Sequence, residues 1–148
     1  MSESKICIDE LKGEEYLQFL ELLNQFRPTA TKMSKDQFDV IYNKINLTGS
    51  VHVLKIDNII IGSGTLFIEQ KFIFNGSKCG HIEDIIVDNM YRNKGYGKML
   101  VEHLIKCAIV QKCYKIVLSC SDDVQEFYTK CGFEKRGNNM SMLLDKMI

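Results

Sequence analysis

Between His81 and Cys120 the chain runs without a break through an apolar strand, a glycine turn, an amphipathic helix and a second apolar strand. His81-Ile82-Glu83-Asp84-Ile85-Ile86-Val87 is rich in β-branched residues, whereas Met99, Leu100, Leu104, Ile105, Ala108 and Ile109 recur at helical spacing. Lys115–Cys120 then returns to strand character. Two strands joined by a full helix are parallel neighbours in one sheet. This one unit commits the chain to an α/β (α+β) architecture with a mixed sheet.

The turn inside that unit carries chemistry. Arg92-Asn93-Lys94-Gly95-Tyr96-Gly97-Lys98 lies where the strand ends and the helix begins. There the first backbone N–H groups have no intrahelical partner, and the helix dipole presents its positive end. Two glycines admit a ligand close to the main chain, and Arg92, Lys94 and Lys98 add positive charge, so the segment is suited to a pyrophosphate. It is not the dinucleotide fingerprint, because Leu100 stands where the third glycine belongs, and no Walker pattern occurs. An ordinary helix start with a glycine turn is the alternative.

The remaining elements follow from local signals. Lys5–Asp9 opens the sheet. Glu14–Phe26 is helical, with Leu17, Leu20 and Leu23 on a wide apolar face beside Phe19, Leu22 and Phe26. Arg27-Pro28 breaks it. Ser34 with Gln37 forms a capping box for a helix that turns Phe38, Ile41, Tyr42 and Ile45 inward. Val51–Ile56 and Ile59–Glu69 are strands joined by Asp57-Asn58, and Asn75-Gly76 turns the chain into the His81–Val87 strand. After Cys120, Asp122 caps a helix holding Phe127 and Tyr128 that stops at Gly132, and Phe133–Leu144 is expected to form a last strand or hairpin. No linker, repeat or low-complexity segment interrupts this order, so residues 1–148 are expected to be a single domain.

Composition excludes several classes. Lys+Arg and Asp+Glu balance at 19 each, which gives nucleic acid or an anionic membrane no reason to bind. No apolar run is long enough to span a bilayer, and the first ten residues show no secretory signal, so the cytoplasm is the expected location. The six cysteines form no C-x-x-C pair and no histidine stands at zinc-ligand spacing from a cysteine pair. They are expected to be buried free thiols, with Cys107 and Cys120 inside a helix and a strand, and no metal is expected.

The R-x-x-G-x-G turn, together with this element order, resembles the GNAT superfamily of acyl-CoA-dependent N-acyltransferases. Within it, Gly80-His81-Ile82-Glu83-Asp84-Ile85, Cys113-Tyr114-Lys115-Ile116, Phe127-Tyr128-x-x-Cys131-Gly132-Phe133 and Ile68-Glu69-Gln70-Lys71-Phe72-Ile73 resemble the eukaryotic glucosamine-6-phosphate N-acetyltransferase branch. The resemblance implies a central sheet of about six to seven strands with helices on both faces. It also implies a splayed fourth and fifth strand pair that receives the pantetheine arm of acetyl-CoA against Ile85, Ile86 and Val87. Arg92, Asn93, Lys94, Gly95, Tyr96, Gly97 and Lys98 would hold the pyrophosphate, and Ser119 would contribute largely through its backbone. The implied reaction is acetyl transfer to the 2-amino group of glucosamine 6-phosphate, a step toward UDP-N-acetylglucosamine; the alternative acceptor is another small amine or a protein amine.

Such a transfer needs a neutral amine and a protonated leaving thiolate. Glu83 can take the amine's proton, and strand alternation puts it on one face with His81 and Ile85 while Asp84 points the other way. The structural alternative is a carboxylate bonded to neighbouring backbone. A phenol at Tyr128 can protonate the thiolate, as matching tyrosines do in the family, while Phe127 fills core. The resemblance further places Thr29, Lys71, Glu83, Asp84, Tyr114 and Lys115 on the aminosugar phosphate. One departure stands out: Leu143 replaces an arginine that helps hold the sugar phosphate in relatives, leaving Arg136 or Lys146 to substitute, or a weaker affinity. The resembling enzymes are homodimers, and the same is expected here.

Overall fold

The two-residue turn Asp57-Asn58 closes the central hairpin of the sheet. Both residues take left-handed φ, 50° and 67°, the backbone twist that lets a tight hairpin follow its strands. It joins β2 (Gly49–Ile56) to β3 (Ile59–Gln70), antiparallel, and a register shift between Leu54 and Lys55 then sets Val51 opposite Thr65 and Val53 opposite Ser63. The computed structural model describes residues 2–27 and 32–145, which divide into two units, Met1–Leu118 and Ser119–Ile148.

In the first unit, β1 (Ile6–Glu10) pairs antiparallel with β2. The one-turn α3 (Ile73–Gly76) reverses the chain through left-handed Phe74 and Asn75 and leads into β4 (Lys78–Val87), antiparallel to β3. β5 (Cys113–Val117) returns parallel to β4. The order is β1-β2-β3-β4-β5, a five-stranded mixed sheet among the described residues, not the six to seven strands expected. Two corrections apply, of which the second explains the difference in number. β5 stops at Val117, which leaves Leu118–Cys120 outside the ladder and Cys120 exposed. Residues 133–144 make no strand: Met140, Met142 and Leu144 alternate as a strand would, yet stand 91%, 82% and 88% exposed. Alternation alone forms no strand without an edge to pair with.

Helices cover both faces. α1 (Tyr16–Phe26) and α2 (Lys35–Asn46) bury Leu20, Leu22 and Phe38 against Val51, Val53, Ile60 and Ile86. Leu17 and Phe26 of α1 and Ile41 of α2, expected inward, are exposed, because the sheet reaches only a narrow stripe of each helix. The Ser34–Gln37 capping box forms as read, with Gln37 N donating to Ser34 Oγ at 3.2 Å and Ser34 N to Gln37 Oε1 at 2.9 Å. On the opposite face, α4 (Tyr96–Val110) packs Leu100 against Leu54 and Ile61, with Ile8 and Ile85 beside them.

Buried polar groups are partnered. Lys55 Nζ meets Glu15 Oε2 at 2.7 Å, both side chains nearly inaccessible, and the hydrogen bond to Glu15 raises the lysine pKa above its ordinary value. His52, buried on β2, and His103 on α4 are both held below the ordinary histidine pKa by burial, His52 also by the nearness of His103. All six cysteines are free, but Cys79 alone is fully buried, so the expectation of uniformly buried thiols does not hold.

In the second unit a 3-10 turn, Asp122–Val124, precedes α5 (Gln125–Lys130). Asp122 is therefore the first residue of that turn and not a helix cap. The helix ends as read at Gly132, whose φ is 101°. Gly132 N donates to Thr129 O and Phe133 N to Tyr128 O, the paired bonds of a Schellman stop.

Candidate active site

The β3–β4 ladder contains the feature that organises the site. Thr65 pairs with Glu83 and Ser63 with Ile86, so Gly64 alone faces both Asp84 and Ile85. This is a bulge, and Asp84 adopts φ 53° to make it. Gly64 leaves room opposite: a Cβ there would come within 2.5 Å of Ile85 Cδ1 and 3.0 Å of Leu104 Cδ1, so those side chains would have to shift. The extra residue resets the alternation. Ile85 packs on the α4 side with Leu54 and Leu100, while Ile86 packs on the α1–α2 side. Asp84 joins Thr65, the cross-strand partner of Glu83, at the rim of a cavity of about 140 Å³ lined by α1 and α2. Glu83 and Asp84 thus share one face and Ile85 takes the other, which corrects the simple alternation. Both carboxylates are exposed, and so open to a ligand.

Beyond the bulge, β4 runs into the glycine turn. Arg92 Nε donates to Val87 O at 3.2 Å and ties the turn to the strand end. Gln25 of α1 grips it from the other side, donating to Asp88 Oδ2 at 3.1 Å and accepting from Asn89 N at 2.9 Å. Gly95 is the N-cap of α4 with φ 86°, and no side chain caps the first amides of that helix. Lys94 Nζ lies 5.8 Å from the Tyr91 ring centroid, and Lys98 is 3.8 Å from Glu102 at the solvent surface. Asn93 is also left-handed, φ 60°. The result is a set of uncapped backbone donors ringed by three cations.

The ladder between β4 and β5 runs only from Lys78–Cys113 to His81–Val117. Among the described residues, Ile82–Val87 has β3 on one side and no strand on the other.

The opposite end of the same strand gathers cations. Glu69 is paired across the ladder with Cys79, and Cys79 with Lys115. Lys71 Nζ bonds Glu69 Oε2 at 3.2 Å, and His81 Nε2 lies 2.9 Å from Glu69 Oε1. The His81 contact, then that of Lys71, holds the Glu69 carboxyl below its ordinary pKa, while Glu69 holds the Lys71 ammonium above its own. Lys115 Nζ stands 5.4 Å from the Tyr114 ring centroid, and Phe74 packs on that ring at 5.0 Å. The structure therefore brings Lys71, Tyr114 and Lys115 together. Glu69 and His81 belong to the same cluster, although the sequence reading singled out neither for it; their two-residue spacing from Lys71 and Glu83 was the available signal.

In the second unit, Tyr128 is half-buried between Phe127 and Phe133, with ring centroids 4.9 Å and 6.1 Å away at steep angles. Ser119 Oγ donates to Asn139 Oδ1 at 3.0 Å. Leu143 is exposed, and Arg136 is paired with Glu134 at 3.0 Å. Thr29 and Lys146 lie outside the described residues.

Residues 16–133 match the acetyltransferase (GNAT) family. The chain belongs to the GNAT acetyltransferase family. It is accordingly an acetyl-CoA-dependent N-acetyltransferase. It is 44% identical over 132 residues to glucosamine 6-phosphate N-acetyltransferase 1 of Dictyostelium discoideum, covering 85% of this chain and 82% of the relative. The crystal structure of glucosamine-6-phosphate N-acetyltransferase from Arabidopsis thaliana superposes with a TM-score of 0.87 at 33% identity, covering 95% of this chain and 99% of that one. An acetyltransferase of Trypanosoma brucei superposes with a TM-score of 0.89 at 30% identity, over 95% of this chain and all of that one. No described helix of this GNAT chain is long and apolar enough to cross a membrane.

Proposed function

We propose that the chain transfers the acetyl group of acetyl-CoA to the 2-amino group of glucosamine 6-phosphate, releasing N-acetylglucosamine 6-phosphate and CoA, within UDP-N-acetylglucosamine biosynthesis. The observation that carries this reading is the layout along β4. A cluster of Lys71, Lys115 and the Tyr114 phenol lies at its start, the Glu83–Asp84 carboxylates at its bulge, and the glycine turn beyond its end. A phosphorylated amine needs the first two in that order, and a CoA thioester needs the third. The names of the relatives agree with this acceptor.

The roles follow from charge and position. The amides of the Asn93–Lys98 turn, with Arg92, Lys94 and Lys98, bind the pyrophosphate, and the free edge at Ile85–Val87 pairs with the pantetheine amides, with Ser119 adding a backbone contact. Lys71, Lys115 and the Tyr114 hydroxyl bind the sugar phosphate, with Thr29 beside it. Asp84 orients the sugar, and Glu83 takes the proton from its ammonium so that the lone pair can attack the thioester carbonyl. Tyr128 gives its proton to the departing thiolate. Residues 1–148 act as one N-acetyltransferase domain in the cytoplasm, with no nucleic-acid or membrane partner. The exposed alternating row Met140, Met142, Leu144 supports a homodimer, because a segment of strand-like pattern with no edge to pair with in its own chain can pair on a second copy.

The test is acetyl transfer from acetyl-CoA to glucosamine 6-phosphate read by product mass, since free cysteines react with thiol dyes. Glucosamine and a lysine peptide run alongside. Product from the phosphorylated sugar alone is expected; product from the peptide alone would overturn the acceptor assignment.

A further inference from the structure

A second cluster of reactive side chains lies on the α4 side of the sheet, outside the acetyl-transfer machinery. His52 on β2 is 5% exposed and faces α4, which presents His103 and, one turn on, Cys107. His52 Nδ1 is 3.0 Å from His103 Nε2, and Cys107 Sγ is 3.5 Å from the same nitrogen. The three donor atoms all lie within 4.8 Å of one another. Three lone-pair atoms therefore converge where one ring nitrogen can share only a single proton. Ligands around a tetrahedral zinc ion sit about 3.4 Å apart for two imidazole nitrogens and about 3.6 Å for nitrogen and thiolate sulfur, from bond lengths of about 2.05 and 2.3 Å. The two distances at His103 nearly match those edges.

The surroundings fit the same chemistry. His52 Nε2 meets Ser50 Oγ at 2.8 Å, so the nitrogen not aimed at the cluster is anchored, and such a hydrogen bond orients an imidazole whose other nitrogen holds a metal. Across the β1–β2 ladder, Glu10 pairs with His52 and so projects its carboxylate from the same face. The other histidine–cysteine group, Glu69, Cys79 and His81, is committed to the Lys71 network described above.

We propose that His52, His103 and Cys107 form a binding site for a thiophilic divalent cation of the zinc class, with a water as the fourth donor and the Glu10 carboxylate as a nearby negative charge outside the ligand set, clasping β2 to α4. Binding displaces the Cys107 thiol proton to solvent, and the cation takes its place among the three atoms without a change of oxidation state. Sequence spacing does not reveal the group, because His52 and the i, i+4 pair His103–Cys107 come from separate elements.

The experiment uses the full chain, chelator-stripped and kept reduced with a phosphine, titrated with Co²⁺ and followed by absorbance, then challenged with Zn²⁺. One Co²⁺ per chain with a thiolate charge-transfer band, bleached by Zn²⁺, is expected, together with a Zn²⁺-dependent rise in Tm. Cys107→Ser should abolish both band and rise. Ser50→Ala, which spares the donors, should weaken Co²⁺ binding about tenfold or more while leaving the metal-free Tm close to the parent's. Cys79→Ser should change neither. No band at stoichiometric protein, or a band lost with Cys79→Ser and kept with Cys107→Ser, overturns the proposal.

Discussion

Glu83 and Asp84 are neighbours in sequence yet emerge on the same face of β4, because Asp84 takes φ 53° where two residues oppose Gly64 alone. An exposed acidic pair is thereby set at the middle of a strand whose flanking residues Ile82 and Ile86 are buried. Asp84→Gly suits the left-handed backbone and should keep or raise Tm, while raising the KM for the acceptor several-fold. Asp84→Val forces a β-branched residue into that region and should cost about 1–2 kcal/mol of stability. Denaturant titrations of the two variants separate the backbone role from the carboxylate role.

How much of this was legible depends on range. Asp57-Asn58, Ser34–Gln37, Gly132 and the strand–turn–helix unit are read from a few adjacent residues, and each forms as the local chemistry dictates. The bulge was not legible, since alternation counts residues, whereas the bulge is a matter of pairing: two residues of β4 oppose Gly64 on another strand. Residues 133–144 fail for the converse reason. Their pattern is strand-like, but pairing is a non-local property, and Met140, Met142 and Leu144 stand in solvent. Likewise spacing alone leaves Lys71 and Lys115 as ordinary surface charge, and only the family resemblance singles them out; the ladder is what sets Glu69, Cys79 and Lys115 in one row.

That row makes a sharp kinetic prediction. Glu69 occupies Lys71 at 3.2 Å, so a phosphate arriving at Lys71 competes with a carboxylate held ionised by His81 and Lys71. Lys71→Ala should raise the KM for glucosamine 6-phosphate tenfold or more and leave that for acetyl-CoA near the parent value. Glu69→Gln should lower the acceptor KM. Equal rises in both KM values would place Lys71 outside the phosphate site.

At the helix start, Gly95 holds φ 86° with open space around it, so a substitution there meets strain and no clash. Gly95→Ala should cost about 1–2 kcal/mol locally and raise the KM for acetyl-CoA. Acceptor KM should stay within about twofold. Initial-rate kinetics with each substrate varied in turn check this.

Tyr128→Phe keeps the ring stack with Phe127 and Phe133 and removes only the hydroxyl. If the phenol protonates the thiolate, kcat falls about a hundredfold while both KM values and the circular dichroism stay near those of the parent. An unchanged kcat would reassign Tyr128 to packing.

The buried Lys55–Glu15 pair gives the pH dependence of stability its sign. The bond to Glu15 raises the lysine pKa in the folded chain, so its stabilisation is complete below the unfolded value of about 10.4 and fades as pH climbs through the folded one. Between pH 10 and 12 the parent should therefore lose Tm more steeply than a Glu15→Gln/Lys55→Met double variant, which has no such proton to lose. Tyrosines and thiols that titrate in the same range are common to both proteins, so the difference between the two curves isolates this pair. At neutral pH, Glu15→Ala alone should cost about 3 kcal/mol, because it strands a buried ammonium. Parallel slopes for parent and double variant would mean that the pair contributes nothing at alkaline pH.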